Sequence, residues 1–150
     1  MRIVLTTVLN ASVTIDNHLY SKIDRGYLLL VGFTHDDNQL IVDKMIDKIL
    51  SLRVFPDENG LTNLSLYDIN GQIMSVSQFT LYADLAKGRR PSFINAMKPD
   101  AAKELYAYFN QQLETKFGPI ATGIFGADMK VSSVNDGPFT VILDSKEIIK

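Results

Sequence analysis

At 150 residues with 46% hydrophobic content, the chain has the size of one domain, which can bury about 70% of its unfolded surface without cross-links. The lack of cysteine excludes thiol nucleophiles, cysteine-based metal sites and disulfides, and no run approaches the ~18 apolar residues that span a bilayer. Fifteen basic against 17 acidic residues give a net charge of −2, which argues against a protein that grips nucleic acid along its length and favours recognition of an end.

The chain opens on Met1-Arg2-Ile3-Val4-Leu5, which reads as a strand and lacks the apolar core and cleavage site of a signal peptide, so a cytoplasmic location is expected. Residues 3–8, 12–15, 20–23 and 27–33 are apolar or β-branched and read as strands. Asp16-Asn17-His18 and Asp24-Arg25-Gly26 supply turn chemistry between them. A helix is predicted over 38–52, with Leu40, Ile41, Met45, Ile46, Ile49 and Leu50 as its apolar stripe.

Pro56-Asp57-Glu58-Asn59-Gly60 reads as a loop, and Asn70-Gly71 as a type I′ hairpin turn between two strands. The strand over 73–79 runs into an irregular polar connection, 82–98. A second helix starts at Pro99-Asp100, carries the stripe Ala102, Leu105, Tyr106, Phe109 and Leu113, and stops at Gly118-Pro119. Two last strands, 129–134 and 139–143, flank a Gly137-Pro138 turn. The expected fold class is α+β: a single domain spanning 1–150, with a mostly antiparallel sheet and two main helices.

The ordinary catalytic inventory is nearly empty. His18 and His35 are the only imidazoles, and both sit in turn-like polar surroundings more suited to solvated loop residues than to general bases. There is no Gly-x-Ser-x-Gly elbow and no His pair spaced for zinc, so no metal or cofactor is expected. Any hydrolase chemistry must proceed without an evident side-chain base.

Two segments stand out. Ser77-Gln78-Phe79-Thr80-Leu81 lies where a strand gives way to irregular backbone, a place for free N–H groups to converge. Asn135-Asp136-Gly137-Pro138-Phe139-Thr140 sets a residue without Cβ beside one without N–H, so that the backbone itself can face a ligand. Together they resemble the two signature motifs of the D-aminoacyl-tRNA deacylases, which cleave D-amino acids from tRNA. Ala11-Ser12-Val13, the stretch from Lys87 through Arg89-Arg90-Pro91 to Phe93, and Gly123-Ile124-Phe125-Gly126-Ala127-Asp128-Met129 extend the likeness in the family's order.

That resemblance implies a barrel-like homodimer with its site at the subunit interface, the tRNA 3′ aminoacyl end as partner, and no role for DNA or membrane. It implies catalysis assisted by the RNA rather than by a side-chain base. The ester is already activated by the α-ammonium and a vicinal ribose hydroxyl, and the protein holds it still and neutralises the oxyanion. Ser77, Gln78, Phe79 and Thr80 are the expected catalytic segment; Thr80 as a nucleophile would need a base, and a strand-end threonine bonded to backbone is an equal reading.

In the family the Gly-Pro bond is cis and enters the partner's site. Carbonyl oxygens of Gly137 and Pro138 would form a wall that clashes with the side chain of an L-amino acid, while D-aminoacyl and glycyl esters pass. Phe125, Ala127 and Met129 could line a pocket for the terminal adenine or be ordinary core. Lys87, Arg89 and Arg90 could contact phosphate or be a solvated loop. The sequence departs from the family at Thr6-Thr7-Val8, where Gln-Arg-Val is usual and the arginine braces the Gly-Pro motif. Either another residue braces it here or the wall is looser. The alternative function is a module that binds aminoacylated 3′ ends without turnover.

Overall fold

The computed structural model describes residues 1–149. Its frame is one curled six-stranded sheet. Strand β1 (Arg2–Ile15) turns through Asp16 and Asn17, both at positive φ, into β2 (His18–Ile23), and β3 (Gly26–Gly32) continues along the same edge of β1. After α1 (Gln39–Ser51) comes a small hairpin of β4 (Phe55–Pro56) and β5 (Thr62–Leu64), then β6 (Gln72–Ser77). A 3-10 turn (Phe79–Tyr82), α2 (Pro99–Phe117), β7 (Ala121–Thr122), β8 (Lys130–Asp144) and the short α3 (Ser145–Ile148) complete the chain. Pairing around β1 is antiparallel, whereas β6 joins β3 and β7 in parallel. Ser21 Oγ donates to the Thr122 carbonyl at 2.7 Å, so β2 meets β7 and the sheet nearly closes into a barrel.

The run Tyr27-Leu28-Leu29-Leu30-Val31 explains why β3 is central. Its side chains alternate between two cores, as expected of a strand covered on both faces. Tyr27, Leu29 and Val31 join Ile3 and Leu5 under the helices. Leu28 joins Val8, Val13, Met74 and Val76 on the other face. Asn38 caps α1 by accepting from the Ile41 N–H, and Pro99 at the start of α2 has no N–H to leave unpaired. The α2 stripe is buried as its spacing predicts.

Several expectations are corrected. The α1 face is Val42, Met45, Ile46 and Ile49, all fully buried, each contributing roughly 1.5–3 kcal/mol. Leu40, two residues or about 200° from Val42, points to solvent. The two segments 3–8 and 12–15 are one strand, because β8 pairs along the whole of β1. Asn70-Gly71 is no type I′ hairpin: only Asn70 has positive φ, and β5 pairs with β4 rather than β6. Gly71 N–H instead bonds to the Leu66 carbonyl at 2.9 Å, closing a compact turn.

Gly137-Pro138 also departs from expectation, for it lies inside a single strand rather than at a turn between two. Thr6 pairs with Thr140 and Val8 with Asn135, so residues 136–139 stand opposite the single residue Thr7. Such an excursion leaves backbone unpaired and bends the strand.

Candidate active site

The end of β6 and the loop before β8 form the two walls of a cleft of about 340 Å3. Val76, Ser77, Gln78 and Phe79 make one wall; Phe125, Gly126, Ala127, Asp128, Met129 and Val131 make the other. The first wall is anchored by Gln78, whose N–H bonds to the Val31 carbonyl at 2.7 Å. At the next residue the chain leaves the sheet and enters the 3-10 turn. The Phe79 and Thr80 N–H groups open that turn and so have no acceptor within it.

Packing at this bend depends on Gly32. A Cβ there would lie 2.8 Å from the Gln78 carbonyl oxygen and 3.1 Å from Leu81 Cβ. The absence of a side chain lets the turn rest directly on β3.

A buried polar link joins the two walls. The Ser75 carbonyl, two residues before Ser77, accepts from Tyr106 Oη at 2.8 Å and from the Gly123 N–H at 3.1 Å. The Tyr106 ring also lies 6.1 Å, centroid to centroid, from Phe125. Burial raises the Tyr106 phenol above its ordinary value, so its hydroxyl remains a donor at working pH. Helix α2, strand β6 and the 121–129 loop thus meet at one carbonyl.

Thr80 lies outside the lining of the cleft. It is exposed, its Oγ1 accepts from Gln78 Nε2 at 2.5 Å, and no histidine, lysine or carboxylate is hydrogen-bonded to it among the described residues. Lys87, Arg89 and Arg90 are exposed on the loop beyond the turn and make no ion pair among the described residues. His18 and His35 are exposed too, each held by a main-chain oxygen, of Asp16 and Ile94 respectively. Among the described residues no cluster of three histidines or acids is arranged to hold a metal ion.

Gly137 and Pro138 are exposed at the opposite end of the sheet. Ser77 stands in the row Leu143–Ile3–Val31–Ser77, whereas Thr7, facing the excursion, stands in the row Thr7–Tyr27–Ile73. The two motifs are therefore four residues apart along β6 and three strands apart across the sheet, roughly 13 Å by 14 Å as paths along its curled surface. The Gly137–Pro138 peptide bond is cis, and Gly137 has φ +121°, a conformation L side chains rarely adopt. Buried Thr7 sits directly beneath: its Oγ1 donates to the Asp136 carbonyl at 2.8 Å. Arg25 approaches the Asp136 carboxylate at 3.9 Å.

Residues 4–144 match the family model for D-Tyr-tRNA(Tyr) deacylase. The chain belongs to that family. A D-aminoacyl-tRNA deacylase from Lactobacillus gasseri is 57% identical over 144 residues, 96% of this chain and 99% of its own. One from Flavobacterium psychrophilum is 54% identical over 147 residues, covering 97% and 98%. Among solved structures, one described as c-Myc DNA Unwinding Element Binding Protein superposes with a TM-score of 0.91 at 41% identity, covering 96% of this chain and 98% of that one. A structure described as a "probable eukaryotic D-amino acid tRNA deacylase" has a TM-score of 0.82 at 18% identity, which shows the shared fold.

Of the candidate residues named from sequence, Ser77, Gln78, Phe79, Phe125, Ala127 and Met129 line the cleft; Val76, Gly126, Asp128 and Val131 also line it and were not among them, although Gly126 and Asp128 lie within the same 123–129 stretch. Val131 follows Met129 by two residues and shares its side of the chain, so strand periodicity could have found it. Tyr106 was read only as a core position, because nothing in a helical stripe reveals that its hydroxyl reaches another strand.

Proposed function

We propose that this chain hydrolyses the ester of D-aminoacyl-tRNA to free D-amino acid and tRNA, as the names of its relatives describe for them. The observation that carries the reading is the cleft itself: the end of β6 through Phe79, where a 3-10 turn opens with N–H groups that have no acceptor within it, stands across from Phe125 and Met129. The second wall offers a stacking surface for the terminal adenine. The first offers N–H donors to the oxygen that becomes negative when water attacks the ester carbonyl. Collapse of that intermediate breaks the bond to the ribose oxygen, which regains its proton, and releases the amino acid. The neighbouring ribose hydroxyl orients the attacking water; the one carboxylate on the lining, Asp128, is 87% exposed and engaged by Lys130.

Selection against L-amino acids rests on Gly137 and Pro138 of a second copy. One chain holds its own motif far from its own cleft, so the two parts act together only across an interface. Strand β8 supports such an interface. Among the described residues it pairs with β1 alone, leaving a 15-residue edge, and Val134 and Ile142 on it are 49% and 65% exposed. Main-chain oxygens presented at the cleft mouth would collide with an L side chain, whereas glycyl and D-aminoacyl esters would be cleaved alike.

The test is a deacylation time course on matched D- and L-tyrosyl-tRNA, with glycyl-tRNA alongside and a Gly137→Ala variant in parallel. Loss of only the D-tyrosyl and glycyl esters, with discrimination weakened in the variant, is the expected result. Failure to hydrolyse any ester would turn the reading to a module that binds aminoacylated 3′ ends. Refusal of glycyl-tRNA alone would sink the steric account of chirality.

A further inference from the structure

A second, larger space adjoins the cleft and has no part in the chemistry described so far. It measures about 630 Å3 and shares Phe79, Phe125 and Gly126 with the cleft. Its other walls are Phe93, Ile94, Met97 and Pro99, with Lys98 at the rim. Phe79 and Phe93 meet edge to face at 4.8 Å, and both remain substantially exposed, as does Ile94 at 73%. The one imidazole on the lining, His35, is engaged by the Ile94 carbonyl at 2.6 Å. The chamber therefore presents aromatic and aliphatic surface with little capacity to read hydrogen-bonding patterns.

We propose that this chamber takes the nucleobase of the penultimate residue of the tRNA 3′ end. The inference rests on the proposed reading of the cleft as the site of the terminal aminoacyl-adenosine. A nucleic acid entering that cleft continues in the 5′ direction, and the chamber begins at the cleft's own Phe79 and Phe125. Stacking on aromatic faces is the sequence-tolerant way to hold a single-stranded base, and it suits an end whose sequence is shared by all its carriers. Lys98 supplies the positive charge for the phosphodiester between the two nucleotides, a useful contact in a chain of net charge −2. The side chain of a D-amino acid is the competing occupant, because it too departs from the ester near Phe79.

The experiment measures binding, so that it does not depend on turnover. Three non-hydrolysable D-tyrosyl 3′-amides are compared by calorimetry: on adenosine, on the cytidylyl-adenosine dinucleotide, and on the same dinucleotide with an abasic first ribose. The dinucleotide is expected to bind about tenfold tighter than the nucleoside, with most of that advantage lost in the abasic compound. Phe93→Ala and, at a position too exposed to matter for folding, Ile94→Ser should each shrink the dinucleotide-to-nucleoside ratio to about twofold. A ratio near one in the unmodified protein, or one that survives both substitutions, would overturn the proposal. So would a Phe93→Ala variant that loses its preference for the D-tyrosyl over the D-alanyl amide of adenosine alone, which would give the chamber to the amino-acid side chain. Dissociation of the oligomer by Phe93→Ala would give it to a second copy instead. Failure of the function reading shows separately, as absence of hydrolysis of D-tyrosyl-tRNA whatever these affinities are.

Discussion

Thr7 and Asp136, 129 residues apart in sequence, are joined by a 2.8 Å hydrogen bond from the threonine hydroxyl to the aspartate carbonyl. The same hydroxyl lies 3.5 Å from the Phe139 carbonyl, so Thr7 spans the base of the Gly137-Pro138 excursion. The missing arginine left another residue as brace or a looser wall as the alternatives; this geometry adds a third, a contact from position 7 itself that acts on main chain rather than on charge.

Replacing Thr7 by valine keeps the shape and removes the donor. A part-buried carbonyl left without its partner costs about 1 kcal/mol, and Tm should fall accordingly. Discrimination between D- and L-tyrosyl-tRNA should weaken more than the D-rate does, and Thr7→Ser should restore both. Unchanged discrimination in the valine variant, measured in the same time course, would show that the hydroxyl does not position the motif.

Tyr106 is expected to act on the cleft without entering it. Tyr106→Phe leaves the ring against Phe125 but frees the Ser75 carbonyl from its stronger donor, while Gly123 N–H remains. The two walls should part slightly, raising KM several-fold with a smaller effect on kcat. Ser75→Ala is the informative control, since its carbonyl is retained and only the weaker 3.3 Å hydroxyl contact is lost. Equal damage from both substitutions would assign Tyr106 a purely structural part.

Where the fold was legible in sequence, local chemistry and burial agreed. The α2 stripe, its Pro99 start and the presence of α1 within 38–52 follow from spacing and helix-start chemistry, and each is where the pattern placed it. The continuity of β8 was not legible. A Gly-Pro pair ordinarily ends a strand, and only the uninterrupted partner β1 carries the ladder past it. Asn70-Gly71 misled for the converse reason: a strong local turn signal specifies a turn but not which strands it joins. The cleft's own residues were legible because motifs marked them, whereas the adjoining chamber is assembled from His35, Phe79, Phe93, Ile94 and Phe125, spread too widely for any window of sequence to contain its shape.

The basic loop gives a prediction in salt. If Arg89 and Arg90 contact acceptor-end phosphates, Arg89→Ala with Arg90→Ala should weaken tRNA binding and flatten the slope of log K against log salt by about 1.4, at ~0.7 per single-strand phosphate contact. Affinity for short 3′-end analogues should not change, because both side chains lie outside the cleft lining. A salt slope identical to that of the unmodified protein would make the loop merely solvated.

Gly32→Ala tests whether the bend after Ser77 sets the rate. The added methyl would lie 2.8 Å from a main-chain oxygen, closer than real Cβ contacts come, so the Gln78 carbonyl must move. That carbonyl caps the 3-10 turn, accepting from the Leu81 N–H at 3.2 Å, and its displacement carries the Phe79 and Thr80 N–H groups with it. Donors aimed at a developing oxyanion tolerate little error, and a misplacement of about 1 Å can cost on the order of 100-fold. The expected outcome is a fall of tenfold or more in kcat with KM nearly constant, and a Tm lower by a few degrees. A variant equally destabilised but with kcat intact would separate the bend from the chemistry, and would move oxyanion stabilisation away from the Phe79–Thr80 backbone.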